Sequence, residues 1–105
     1  MTDKLLVLTT AGSEPEARKI AQALVERRLG ACVNIVPRIQ SVYRWEGRVE
    51  QAEEYLLLIK TVKALFEQVR SAISELHSYE LPECIAVSIE SGSADYLQWL
   101  SNSVG

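Results

Sequence analysis

Residues 31–61 read ACVNIVPRIQSVYRWEGRVEQAEEYLLLIKT and predict one long β-hairpin. Both arms are rich in β-branched, aromatic and leucine side chains, and they meet at the segment Trp45-Glu46-Gly47. Gly47 can adopt the positive φ that a tight reversal needs. Pro37 has no backbone N–H, so it marks the first arm as an edge strand or a β-bulge. Each arm spans about a dozen residues, well beyond an average strand, and an edge of that length has to be covered or paired.

The residues before the hairpin predict a strand and a helix. Residues 4–10, KLLVLTT, predict a strand, and their apolar residues 5–8 are consecutive, which is typical of a strand buried on both faces. Ser13 is a good N-cap for the following helix, and Glu16 stands three residues later, where it would complete a capping box. Apolar residues then recur at helical spacing, and Gly30 is placed to end the helix.

The residues after the hairpin predict a helix, a strand and a short terminal helix. Thr61 is the expected N-cap of the second helix, whose apolar stripe runs to Leu76. Residues 77–83 form a loop, and residues 84–90 alternate as a strand. Ser93 can cap the last helix.

The resulting order, β-α-β-β-α-β plus a terminal helix, predicts an α+β chain of ferredoxin-like class with an antiparallel sheet. At 105 residues, the chain 1–105 is expected to form one domain. The usual strand order of this class, 4-1-3-2, puts Cys32 and Cys84 at opposite edges of the sheet, too far apart for a disulfide.

Composition excludes several classes of partner. The net charge is −3 and the basic residues are scattered among acids, which argues against nucleic acid or an anionic membrane. The longest apolar run, residues 55–59, is far too short to span a bilayer. The N-terminus lacks the features of a secretion signal, and the two cysteines form no CxxC motif, so we expect a cytoplasmic location.

Apolar residues on both faces of the central strands predict self-association. Two helices cover only one face of a four-stranded sheet, yet residues 5–8 and 55–59 are apolar throughout. Leaving the second face in water would cost about 1.5–3 kcal/mol per large side chain. We expect identical chains to cover it, with the hairpin reaching onto a neighbour. The alternative is that the terminal helix and the hairpin cover it within one chain.

The loop after the second helix carries the densest set of chemical groups. His77 lies near Tyr79, Glu80 and Glu83 in sequence, and an imidazole is a ligand for copper or zinc. The alternative is that His77 only ends the helix, where a partial positive charge is favourable. The two cysteines are expected to be small buried groups, because no base is paired with either in the sequence.

The hairpin offers two further candidates. Trp45 and Tyr43, near the tip, are typical anchors of a protein interface, although they could instead pack locally across the strands. Glu50, Glu53 and Glu54 form an acidic run opposite several arginines. That run fits either a hard-cation site or cross-strand charge pairing. No phosphate loop, HExxH or GxSxG motif is present, so nothing in the sequence demands an enzyme.

Four segments together resemble the CutA family of divalent-cation tolerance proteins: ACVNIVPRIQSVYRWEG, LLLIKT, HSYELPE and YLQWL. The resemblance spans essentially the whole chain. It implies a ferredoxin-like fold, a compact homotrimer, a cytoplasmic setting and a link to copper and other divalent cations. It also implies a trimer similar to that of PII signalling proteins, which bind small effectors between protomers.

The resemblance carries over residue by residue in the 77–83 loop. The family pattern His-Pro-Tyr-Glu-x-Pro-Glu is matched except that Ser78 replaces the first proline. Of the residues proposed as copper ligands in the family, only His77 is kept, because Leu76 and Thr9 occupy the other two positions. We expect no obligatory cofactor, with copper or another divalent cation as the candidate ligand. By analogy with PII proteins, Tyr79, Glu80 and Glu83 would line the cleft between protomers.

We therefore expect a non-catalytic homotrimer of divalent-metal tolerance, with any copper contact at His77. One alternative is a PII-like sensor that binds a small effector between protomers. The other is an enzyme whose site is completed by neighbouring chains.

Overall fold

The computed structural model describes residues 2–105. Over that range, four strands and three helices confirm the α+β, ferredoxin-like class with a long hairpin and a C-terminal helix. The strands and helices, in chain order, are β1 (Lys4–Ala11), α1 (Glu14–Glu26), β2 (Cys32–Trp45), β3 (Arg48–Val62), α2 (Phe66–Leu76), β4 (Ile85–Ser88) and α3 (Ala94–Asn102). A short 3-10 turn, Lys63–Leu65, precedes α2.

The sheet is antiparallel with strand order β2-β3-β1-β4, as expected for this class. Cys32 opens β2 at one edge and Cys84 directly precedes β4 at the other, and both thiols are free. The strand expected over 84–90 is shorter in the structure, because β4 pairs only with the four residues Leu5–Leu8 of β1. β4 is the edge strand opposite β2, and within residues 2–105 it pairs with β1 alone.

The hydrophobic core lies between the sheet and the helices α1 and α2. Alternate residues of β1 and β3, including Val7, Leu57 and Ile59, point into it and are fully buried. Their helical partners in the core are Ala17, Ile20, Leu24, Val69, Ala72 and Ile73.

The hairpin is longer than the sequence predicts, with arms of 14 and 15 residues. Its turn consists of two residues, Glu46 with φ 50° and Gly47 with φ 80°. Two successive positive φ values are the signature of a type I′ turn, whose twist matches that of the flanking strands. Trp45 and Arg48 close the turn as the last paired residues.

A β-bulge interrupts β2 where Pro37 predicts one. Pro37 and Arg38 together lie opposite the single residue Tyr55, and Arg38 has φ 60°. Side chains alternate along a strand. This extra residue therefore places every later residue of β2 on the side opposite to the one that unbroken alternation would give it. Tyr43 and Trp45 therefore lie on the side of the sheet opposite the helices α1 and α2.

Two expected helix boundaries are wrong. Arg28, with φ 58°, rather than Gly30, takes the left-handed conformation after α1, and the helix ends at Glu26. Thr61 does not cap α2, because its side-chain hydroxyl donates to the Leu29 carbonyl at 2.7 Å. This hydrogen bond links β3 to the segment that connects α1 and β2. The chain instead enters α2 through the 3-10 turn.

The sheet face opposite α1 and α2, called the open face below, is only partly covered. Helix α3 lies over the Lys60 end of β3, where the Lys60 ammonium is 5.6 Å from the centre of the Tyr96 ring and Leu100 is fully buried. Ile85 and Val87 are 53% and 51% exposed. The other apolar residues of the open face are Leu6, Leu8, Val36, Leu56 and Leu58, all incompletely buried. The terminal helix therefore covers part of this face within one chain and leaves an apolar band in contact with solvent.

Candidate functional site

A groove of about 570 Å³ lies between the outer half of the hairpin and the loop 77–83. Its lining combines aromatic, carboxylate and hydroxyl groups: Thr10, Ser41, Val42, Tyr43, Trp45, Glu54, Tyr79, Glu80, Leu81 and Glu83. A volume of this size is typical of pockets for small molecules.

One ring nitrogen of His77 holds the loop 77–83 against the sheet, and the other makes a hydrogen bond within the loop. The Nε2–H donates to the Thr10 carbonyl at 2.6 Å, and Nδ1 accepts the backbone N–H of Tyr79 at 3.0 Å. A carbonyl can only accept and an N–H can only donate, so this pairing assigns the ring hydrogen to Nε2. His77 also stacks at a tilt on Tyr79, with 4.5 Å between ring centres.

Tyr79 joins the loop to the hairpin. Its hydroxyl donates to Glu54 Oε2 at 2.8 Å, and Glu54 is only 7% exposed. Gly12 makes room for this ring, because a Cβ at that position would lie 3.0 Å from the Tyr79 hydroxyl oxygen. A larger residue at position 12 would require the Tyr79 ring to shift slightly.

The electrostatic environment of the groove is acidic. Burial, followed by the hydrogen bond to Glu54 and the charge of that group, raises the pKa of Tyr79 well above its usual range, so the phenol stays a hydrogen-bond donor. Burial and the negative charge of Glu54 also raise the pKa of Glu83. In both cases burial is the larger cause of the raised pKa, and the negative charge of Glu54 adds to it.

Glu16 supplies another anchor for the loop, and this role differs from the one predicted. Ser13 caps α1 as expected by accepting the Glu16 N–H at 3.3 Å. The Glu16 carboxylate, however, accepts the backbone N–H of Ser78 at 2.8 Å rather than completing a capping box. Burial opposes its ionisation, but hydrogen bonding from Ser78 outweighs that cost and lowers the pKa of Glu16.

Replacing Glu16 with Gln is expected to lower the urea midpoint of unfolding at pH 7, because a charge-assisted hydrogen bond becomes a neutral one. The folded-state pKa lies below the ordinary value of 4.5, so the stabilisation is present above that value. It disappears as the pH falls through the lowered pKa of the folded state, and the two proteins should converge there. Glu14→Gln is the matched control, because Glu14 is exposed and contacts only Arg18, at 3.7 Å. Equal shifts in both variants would remove the role assigned to Glu16.

The residues of one chain do not fit a complete metal site. Across residues 2–105, no three His, Cys, Asp or Glu side chains converge as metal ligands would. Both nitrogens of His77 already have hydrogen-bond partners, and Thr9 and Leu76 bring neither nitrogen nor sulfur to the site. Burial raises the pKa of Cys84, which keeps that thiol protonated and weak as a ligand or nucleophile.

The structure brings together most of the residues singled out from the sequence. The predicted cleft residues Tyr79, Glu80 and Glu83 line the same groove as the predicted interface residues Tyr43 and Trp45. His77 stands behind this groove and does not line it.

Sequence reasoning missed the separate role of Glu54. Its neighbour Glu53 faces the other side of the ribbon and lies 3.6 Å from Arg38, as cross-strand pairing predicts. Glu54 is buried beneath Tyr79 instead. The signal available in the sequence was strand alternation, which puts Glu54 on the same face of β3 as the apolar residues Leu56 and Leu58.

None of the helices within residues 2–105 has the length and hydropathy of a membrane span.

A short ferredoxin-like domain with this long hairpin and this loop defines a class of divalent-ion tolerance proteins. The model of that family, CutA1 divalent ion tolerance protein, matches residues 5–103, and the chain belongs to it. The description of the family names tolerance of divalent ions and no reaction.

Individual relatives agree with this assignment. The chain is 48% identical over 100 residues to the divalent-cation tolerance protein CutA of Thermus thermophilus, covering 95% of this chain and 97% of that protein. The crystal structure of CutA from Xylella fastidiosa superposes with a TM-score of 0.96 at 38% identity, over 99% of this chain and 100% of that one. The periplasmic divalent cation tolerance protein CutA from Archaeoglobus fulgidus gives 0.94 at 39% identity, over 97% and 99%. The chain spans about half the length of the curated plant and human relatives that it matches.

Proposed function

We propose that this chain is a non-catalytic homotrimer that serves divalent-cation tolerance and contacts copper weakly at His77. Membership of the divalent-ion tolerance family supports the general role. The observation that carries the proposed assembly is the apolar band of the open face, which one chain leaves in contact with solvent.

The geometry around His77 accounts for weak rather than tight copper contact. A metal ion binding Nδ1 would displace the Tyr79 N–H, and one binding Nε2 would displace the Thr10 carbonyl. No second histidine exists in the sequence, so further ligands would come from neighbouring chains or water. With this set, we expect no obligatory cofactor.

Calorimetric titration of metal-free protein with copper tests this role. Wild type is expected to saturate at a fixed ratio per chain with low affinity, and His77→Ala is expected to lose the signal. His77→Gln is the control for loop loosening, because it keeps an amide N–H for Thr10 but has no ring nitrogen; it should also lose copper. Equal binding by all three proteins would leave His77 as a structural residue at the end of α2 and would overturn the copper contact.

A cytoplasmic location is part of the proposal. It is supported by two free thiols on opposite sheet edges, which fit a reducing compartment. Because the Archaeoglobus fulgidus relative is described as periplasmic, cell fractionation is the decisive measurement. Recovery with periplasmic markers would contradict the proposal.

A second candidate function is a PII-like sensor whose small-molecule effector occupies the groove. The specific observation in its favour is the mixed apolar and polar lining of the groove, which the copper proposal does not use. An effector would raise the melting temperature of the protein by binding only the folded state.

A further inference from the structure

The lining of the groove has a one-sided charge. It includes the carboxylates of Glu54, Glu80 and Glu83 and no Lys, Arg or His. An anionic effector would meet only repulsion there, whereas a cation would gain from every charged group present.

Glu54 is the group that most needs a cationic partner. It is 93% buried, lines the groove and accepts one hydrogen bond, from Tyr79. Within residues 2–105 its carboxylate makes no ion pair with a basic side chain. This carboxylate has one neutral donor and no cationic partner, and a positively charged ligand in the groove would add one.

The aromatic side chains indicate which kind of cation fits. Tyr43, Trp45 and Tyr79 line the groove together and are between 36% and 44% exposed in one chain, so their ring surfaces are accessible within a single protomer. Aromatic faces attract organic ammonium groups and bury their carbon stems, while a small hydrated metal ion gains little from them. The volume of about 570 Å³ also far exceeds that of a single metal ion.

We infer that the groove binds a small organic dication of the aliphatic diamine class. One ammonium group pairs with Glu54 beside Tyr79, the carbon stem lies along Tyr43 and Trp45, and the second ammonium group faces Glu80 and Glu83. This inference rests on the second function proposed above and specifies its ligand.

Calorimetric titration with 1,4-diaminobutane, beside the neutral isostere 1,4-butanediol, tests the inference. The diamine is expected to saturate at one per chain and the diol to give no binding. Glu83→Gln should weaken diamine binding about tenfold, because it removes one of the charged acceptors without disturbing the core. Glu53→Gln is the matched control: it makes the same change in net charge on the other side of the ribbon, and it should bind like wild type.

Several results would overturn the inference. One is the absence of saturable diamine binding, which is also the result expected if a neighbouring copy of the chain fills the groove. Equal weakening of diamine binding in Glu53→Gln and Glu83→Gln is another, because it would indicate attraction by net charge alone. Displacement of the diamine by an equal concentration of Mg²⁺ would indicate the same. Saturable binding of a neutral or anionic metabolite in the groove would keep the sensor function while refuting the cation. The loss of copper binding in His77→Ala is a separate measurement, and its result does not depend on whether the diamine binds.

Discussion

A chain that lacks residues 42–49 is expected to run as monomer or aggregate, whereas we propose that the intact chain runs as a trimer. The deletion removes Tyr43, Trp45 and the turn, which we propose to reach onto a neighbouring protomer. Ser41 pairs with Ala52, so the shortened hairpin would close on Glu50 and Gln51 as a two-residue loop. Changing these two residues with E50N and Q51G gives that loop a favoured type I′ sequence and keeps the inner half of the hairpin intact.

Light scattering coupled to size exclusion, over a range of protein concentrations, measures this effect. Trp45→Ala is the milder companion variant and should weaken assembly by about 2 kcal/mol, or about 30-fold in the dissociation constant, as expected for a buried aromatic anchor. A truncated protein that remains a trimer throughout the dilution series would show that the hairpin tip does not hold the assembly together.

Replacing Val87 with Asp is expected to dissociate the assembly as well. Val87 lies on β4 and is 51% exposed in one chain, so the carboxylate would be tolerated in an isolated protomer. If the open face is buried between protomers, the same carboxylate would be desolvated without a partner, at a cost of several kcal/mol.

The control for this experiment is Val25→Asp. Val25 is 43% exposed on α1, away from the open face, and its replacement should leave the assembly unchanged. Circular dichroism distinguishes dissociation from unfolding. A Val87→Asp protein that keeps the wild-type mass would place the protomer contacts elsewhere.

Much of the fold follows from periodicity in the sequence. Consecutive apolar residues in β1, helical spacing after Ser13 and the turn at Gly47 are local signals, and each corresponds to an observed element. The errors arise where tertiary contacts decide. Thr61 looks like an N-cap, but its hydroxyl has a better acceptor in the Leu29 carbonyl, which is 32 residues away in the sequence.

Part of the candidate site could not be predicted from the sequence, again because tertiary contacts decide it. Tyr79, Glu80 and Glu83 stand together in one loop, so their proximity is visible in the sequence. Glu54 looks like one member of an acidic run, and only the pairing of β3 with its neighbours shows that it faces the groove. Its bond to Tyr79 joins residues 25 positions apart, which no local pattern indicates.

The bulge at Pro37 and Arg38 makes the chemistry of the groove depend on how β2 pairs with β3 as well as on residue identity. If the same sequence paired without the bulge, with Arg38 opposite Glu54, Val42 and Arg44 would face the groove in place of Tyr43 and Trp45. Apolar and aromatic recognition would give way to a fixed positive charge beside Glu54. Two homologues of equal length could then be nearly identical letter by letter and still differ in what they bind, so the residues that set the bulge carry more functional information than most other positions of the hairpin.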